Sequence, residues 1–98
     1  MNIVSFRHKR LEKYYTTGNP KGLPKECITK LQVALDAIEA ADDIAAWLTL
    51  PRGRPHGLKG QRKGDYSIRI TANYRLTFSY DTVRNAAENI DFEDYHKA

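Results

Sequence analysis

An α+β fold, with a small antiparallel sheet covered on one face by two N-terminal helices, is predicted by three features of this 98-residue sequence. Apolar residues recur at helical spacing in the first half, and they alternate with polar residues in the second. Turn-forming Gly, Pro and Asn fall between the periodic stretches, which is the pattern of helices followed by strands rather than of alternating βαβ units.

Each element follows in order. Ile3, Val4 and Phe6 read as a short opening strand that joins the sheet. From His8 to Thr17, Leu11, Tyr14 and Tyr15 sit at i, i+3 and i+4, so a short helix is expected, ended by Gly18. A turn over Gly18-Asn19-Pro20 to Gly22 precedes Pro24, which suits the first position of a longer helix. That helix carries Cys27, Leu31, Ala34, Leu35, Ile38 and Ala41 on one stripe of about four turns, and Glu26 in its first turn favours the helix dipole. Asp42 or Asp43 can cap a short segment with Ile44, Trp47 and Leu48, which Pro51 stops. Tyr66, Ile68 and Ile70 then alternate with Ser67, Arg69 and Thr71, and Ala72-Asn73 turns the chain into Tyr74, Leu76, Phe78 and Tyr80. Residues Asp81 to Ala87 read as a connection to a last strand over Asn89 to Tyr95, with Ile90 and Phe92 inward. Three sequential strands of this kind form an antiparallel meander.

Composition bounds the rest. A chain of this length holds one modest core, so residues 1–98 form one domain. The 41% hydrophobic and 29% charged shares are those of a globular protein rather than a disordered one. No apolar run approaches the roughly 18 residues of a membrane span, and no signal-length apolar stretch opens the sequence. Cys27 is the single cysteine and cannot close an intrachain disulfide, so the cytoplasm is the expected compartment and the apolar stripe its expected place. The net charge of +4 gives only a mild attraction to polyanions, but its distribution is uneven. Arg52, Arg54, Lys59, Arg62 and Lys63 cluster in one segment, and Asp91, Glu93 and Asp94 make the end of the chain acidic.

Two segments carry chemistry. The last strand runs into Asp94, Tyr95 and His96, a carboxylate, a phenol and an imidazole side by side. The basic segment Arg52 to Lys63 adds His56, with three glycines and a proline that let backbone approach a ligand closely. His96 is the strongest candidate general base, with Asp94 to orient it; Tyr95 could donate a proton, hold a phosphate oxygen or stack on a base. His56 could be the second acid–base group, and Lys59 a stabiliser of phosphorane charge. If Ile68, Ile70, Leu76 and Phe78 face the helices, Arg69 and Arg75 line the opposite side of the sheet beside the basic segment, a groove for a nucleic-acid backbone. Each residue has a plainer alternative: a solvated charge cluster, a cross-strand ion pair at Arg75, an edge-packing Tyr95. In a regular strand Asp94 and His96 share the face of Phe92 while Tyr95 falls opposite, so all three meet only if the strand bends or ends there. A zinc site from His56, Asp94 and His96 lacks paired ligand spacing, and no phosphate-loop or dinucleotide fingerprint exists, so neither metal nor cofactor is expected.

In their order and spacing these motifs resemble one family. They are the opening Ile-x-Ser-Phe-x-His-Lys with Leu11, Gly22-Leu23-Pro24, His56-x-Leu58-Lys59-Gly60, Gly64-x-Tyr66-Ser67-Ile68, Asn73-Tyr74-Arg75-Leu76-Thr77-Phe78 and the closing Asp94-Tyr95-His96. Nearly end to end, the chain is similar to the HigB-type killer toxins of the RelE/ParE superfamily, the toxin halves of bacterial type II toxin–antitoxin pairs. The resemblance implies an endoribonuclease that cuts mRNA in the ribosomal A site, and the acid–base and cationic residues read above lead to the expectation that it does so without a metal. The resemblance also implies a helix-turn-helix, HigA-like antitoxin encoded alongside, operator DNA reached only through that antitoxin, and no membrane partner. The family's functional residues fall on His56, Lys59, Arg75, Asp94, Tyr95 and His96. Rival expectations on the same scaffold are a non-catalytic, ParE-type inhibitor of DNA gyrase and a simple RNA-binding module; the closing Asp-Tyr-His triplet argues against the gyrase branch.

Overall fold

The computed structural model describes residues 1–95. The period-two half of the chain builds the sheet. Strands β3 (Asp65–Arg69), β4 (Tyr74–Asp81) and β5 (Ala86–Asp94) form the antiparallel meander. Two strands of two residues each extend it: β1 (Asn2–Ile3) runs parallel to β5, and β2 (His56–Gly57) runs antiparallel to β3. The strand order is β1-β5-β4-β3-β2, so the sheet is mixed, which corrects the purely antiparallel expectation. Nothing in Ile3, Val4 and Phe6 sets strand direction, and Phe6 adds only an isolated parallel bridge to Ile90.

The last strand is longer at its start than its pattern suggests. Ala86 and Ala87 are fully buried and pair with Asp81 and Tyr80, which shrinks the connection to residues 82–85. The Asp81 carboxylate accepts the N–H groups of Val83 (2.9 Å) and Arg84 (3.1 Å), which tightens that turn. Asn89 then adopts φ +53°, and the pairing of β4 with β5 shifts register between Thr77 and Ser79. This bulge puts two residues, Glu88 and Asn89, between the buried Ala87 and Ile90, so alternation fails where pairing continues.

The helices form from the expected stripes. Helix α1 (Lys9–Thr17) starts where His8 Nδ1 accepts the N–H of Leu11 at 3.1 Å and ends at Gly18, whose φ of +80° closes the C-cap. Burial holds the pKa of His8 below its ordinary value, which suits a neutral ring that accepts a hydrogen bond. Pro24 precedes a 3₁₀ turn (Lys25–Cys27) rather than starting the long helix, α2 (Ile28–Ala40). Asp43, not Asp42, caps the short α3 (Ile44–Trp47) by accepting the Ala46 N–H at 2.9 Å. Leu11, Cys27, Leu31, Leu35 and Ile38 are fully buried with Leu76 and Ile90 of the sheet. No helix among the described residues is long and apolar enough to cross a membrane.

Trp47 anchors the helices to the sheet. It is fully buried, with its ring edge-on to Phe78 (centroids 4.9 Å apart) and Tyr66 (6.1 Å). Its indole Nε1 has no hydrogen-bond partner among the described residues, so packing alone holds it. Trp47→Ala should cost about 3–5 kcal/mol in urea unfolding. Trp47→Phe, which keeps an aromatic ring and removes the unpaired donor, should cost distinctly less; equal losses would show that volume and edge contacts are not what stabilise this corner.

Candidate active site

Strand register decides which side chains meet on the sheet face away from the helices. Residues directly opposite on neighbouring strands share a face. His56, Ser67 and Thr77 therefore form one row across β2, β3 and β4, and Arg69, Arg75 and Glu93 form the next across β3, β4 and β5. Tyr95, two residues beyond Glu93, continues on that face as the strand ends at Asp94. The arginine row is as expected from the alternation of Ile68 and Leu76. What the row does with its charge is not.

Two cations, Arg69 and Arg75, lie side by side, and Glu93 on the far flank resolves the repulsion. Its carboxylate accepts Nη1 (3.0 Å) and Nη2 (2.8 Å) of Arg62 as a bidentate pair. It also accepts Nε (3.2 Å) and Nη2 (3.0 Å) of Arg75, and the Thr77 hydroxyl at 2.5 Å. Arg62 further contacts Asp65 at 3.4 Å, and Asp65 accepts the Ser79 hydroxyl at 2.7 Å. The hydrogen bonds from Arg62, with those from Thr77 and Arg75, hold the Glu93 pKa at about 2, against a burial effect that would raise it. Arg62, in the same contacts, is held above the ordinary arginine range. Of the phosphate-binding candidates, Arg62 and Arg75 thus serve first to neutralise and be neutralised by Glu93.

The remaining candidates separate around a depression of about 480 Å³ lined by Gly53, Arg54, His56, Arg69, Ala72 and Tyr95. Arg54 and Arg69 bring positive charge to it, and no ion pair to either occurs among the described residues. Tyr95 is 39% exposed, and its ring lies 5.4 Å from the guanidinium carbon of Arg75, a cation–π contact that ties the depression to the Glu93 cluster. Lys59 and Lys63 flank an exposed 3₁₀ turn (Gly60–Arg62) and are not in the lining. Arg52 lines a neighbouring, more apolar groove of about 540 Å³ between α2 and residues 50–53. That groove is larger, but no His, Tyr, Asp or Glu lines it, which makes the smaller depression the candidate site. Asp94 pairs in register with Tyr74 on the other pleat and is half-buried. His96 lies outside the described residues. Among the described residues no cluster of three or more His, Cys, Asp or Glu side chains could hold a metal ion.

Two residues on this face escaped the sequence reading. Glu93 reads as one of several terminal acids, because nothing in its position announces partners 16 to 31 residues upstream. Ser67, opposite His56, is fully buried, and its hydroxyl has no hydrogen-bond partner among the described residues. Its only sequence signal is a polar residue between Tyr66 and Ile68, which reads as a solvent-facing position.

Because the Glu93 pKa is lowered on folding from an ordinary 4.5 to about 2, the unfolded chain binds more protons between those values. Its contribution is therefore complete above about pH 4.5 and is lost as pH falls toward 2. At the 20% exposure of its side chain this is worth on the order of 2 kcal/mol. Glu93→Gln should lower stability by about that much at pH 7 and remove this step from an acid titration followed by circular dichroism. A variant with unchanged stability and an unchanged acid limb would contradict the role given to the cluster.

Comparison with known proteins places this geometry. The family described as RelE-like toxin of type II toxin-antitoxin system HigB matches residues 4–96. A curated protein of Proteus vulgaris, "Endoribonuclease HigB", is 35% identical over 94 residues, covering 96% of this chain and 99% of its own. Among solved structures, a YoeB/ParE toxin from Agrobacterium tumefaciens superposes with a TM-score of 0.62 at 20% identity, over 95% of this chain and 99% of that one. The YoeB dimer of Staphylococcus aureus gives 0.61 at 22% identity, over 98% and 97% of the two chains. The heterotetrameric YoeB-YefM toxin-antitoxin complex of the same organism gives 0.60 at 27% identity with the same coverages. The family match and the full-length curated relative converge: this chain belongs to the HigB-like toxins of type II toxin–antitoxin systems.

Proposed function

We propose that this toxin is an endoribonuclease that cuts mRNA in the ribosomal A site without a metal, and that a HigA-like helix-turn-helix antitoxin restrains it in the cytoplasm. The observation that carries the reading is the depression that His56 and Tyr95 line together with Arg54 and Arg69. It joins proton-transfer groups to charge that no carboxylate among the described residues neutralises, which is what cleavage of a phosphodiester by positioning and electrostatics requires. The fold is shared with toxins, one of them crystallised with its antitoxin, and the curated relative of similar length is named an endoribonuclease.

The reaction needs a base, an acid and a cationic seat. His96, with Asp94 beside it in sequence, takes the proton from the ribose 2′-OH. The oxygen attacks the adjacent phosphorus in line, the bond from phosphorus to the 5′ oxygen breaks, and His56 or Tyr95 protonates that leaving oxygen. The products are a 2′,3′-cyclic phosphate and a 5′-hydroxyl. Arg54 and Arg69 hold the phosphate, Arg75 lends charge through the Tyr95 ring, and Lys59, beside the depression rather than in its lining, stabilises the phosphorane once RNA is bound. Arg52, Arg62 and Lys63 extend the basic surface toward ribosomal RNA, and Arg62 does so while holding Glu93.

His56→Ala should slow single-turnover cleavage of ribosome-bound mRNA by about 10²–10⁴-fold. Arg69→Ala should mainly weaken binding and make what remains less salt-dependent, lowering the salt slope by about one. Primer extension after brief induction should show breaks inside codons, and only on translated messages. Growth arrest with intact mRNA and rising DNA damage would instead place the chain with gyrase inhibitors.

A further inference from the structure

The ring of His56 is held by a backbone group two residues away. His56 Nδ1 lies 2.7 Å from the carbonyl oxygen of Arg54. A carbonyl only accepts, so Nδ1 carries hydrogen whenever this contact is made. A neutral imidazole has one ring hydrogen, and Nε2 is then the bare nitrogen. Gain and loss of a proton at this ring are confined to Nε2.

The backbone that presents the carbonyl is itself fixed. Gly53 and Arg54 take successive left-handed conformations, φ +79° and +50°. The second is uncommon for a residue with a β-carbon and persists only where its surroundings impose it. The imposing contacts are visible. The Gly53 carbonyl accepts the Arg69 N–H at 2.8 Å, pinning the turn to the end of β3. A β-carbon at Gly53 would lie 2.6 Å from Ile68 Cγ1, so only glycine allows the turn to sit that close. Pro55, the single residue between Arg54 and His56, then has its own φ fixed by its ring.

We propose that the Arg54 carbonyl is the orienting group of His56: it locks the imidazole with hydrogen on Nδ1, making Nε2 the pocket's proton-transfer atom, and Gly53 is the residue that permits this. Arg54 and Gly53 are positioning residues here, acting through His56, much as a carboxylate orients the histidine of a hydrolytic triad. The consequence for catalysis rests on the ribonuclease reading, but the tautomer does not.

The test is a two-bond ¹H–¹⁵N correlation spectrum of the full-length protein at a pH where His56 is neutral, its signals assigned by their absence in His56→Gln. A pyrrole-like Nδ1 and a pyridine-like Nε2 are expected; hydrogen on Nε2, or an averaged pattern, overturns the proposal. Arg54→Ala keeps the carbonyl and should keep the tautomer. Gly53→Ala should shift the ring toward a mixture and lower kcat by about 10- to 10²-fold with KM little changed. A Gly53→Ala protein with the wild-type tautomer overturns the part given to Gly53, and if that variant does not fold, the wild-type spectrum decides alone. An Nδ1–H ring in a protein that cleaves no RNA would sustain this inference and remove the ribonuclease reading; cleavage by a protein with an Nε2–H ring would do the reverse.

Discussion

The carboxylate of Glu93 is the constraint on which the functional face depends. Arg62 arrives from the basic segment, Arg75 and Thr77 from β4, and Glu93 itself from β5, so one side chain joins the basic segment to two strands of the sheet. A bidentate guanidinium contact fixes direction as well as distance, which a lysine at position 62 would not do. Without this acceptor, Arg62, Arg69 and Arg75 would repel one another across neighbouring positions. With it, Arg75 is steady enough to meet the Tyr95 ring, and the basic segment cannot lift away from the sheet.

That arrangement divides the positive charge into two kinds. Arg62 and Arg75 are compensated within the fold, while Arg54 and Arg69 face the depression with no ion pair among the described residues. A polyanion would meet the second pair without first having to displace a carboxylate of the described residues. Composition alone, +4 over the whole chain, would not distinguish these groups. It is the distinction that points to a discrete phosphate seat rather than a diffuse basic surface. The observation behind the catalytic proposal is therefore local: two arginines, a histidine and a tyrosine around one hollow.

Much of this was legible from the residues. The α2 stripe and the alternation of β3 and β4 report their faces directly, because period and burial coincide where strands are regular. The opposed facing of Asp94 and Tyr95 follows from the same rule. The pattern failed where regularity failed: Asn89 in a left-handed conformation breaks the alternation of β5, so Ala86 and Ala87 read as loop although they are buried and paired. Direction and partner choice were illegible for a different reason. The parallel pairing of β1, the capture of Arg62 by Glu93 and the burial of Ser67 are decided by contacts between distant segments, and a charge run looks the same whether its members are paired or free. The seat of His56 was hidden too, because a run such as Arg-Gly-Arg-Pro-His does not show that its second arginine, Arg54, will adopt a positive φ.

The central claim is that a proton-transfer pair beside a cationic seat breaks RNA using the ribose's own hydroxyl. The most direct measurement is the chemistry of the ends left on ribosome-bound mRNA, read by mass spectrometry after digestion with divalent cations supplied only to the ribosome during assembly and the toxin pretreated with chelator. Cyclic 2′,3′-phosphate and 5′-hydroxyl ends are predicted. Ends bearing a 3′-hydroxyl and a 5′-phosphate would mean that water, not the 2′-oxygen, is the nucleophile, and would contradict the account.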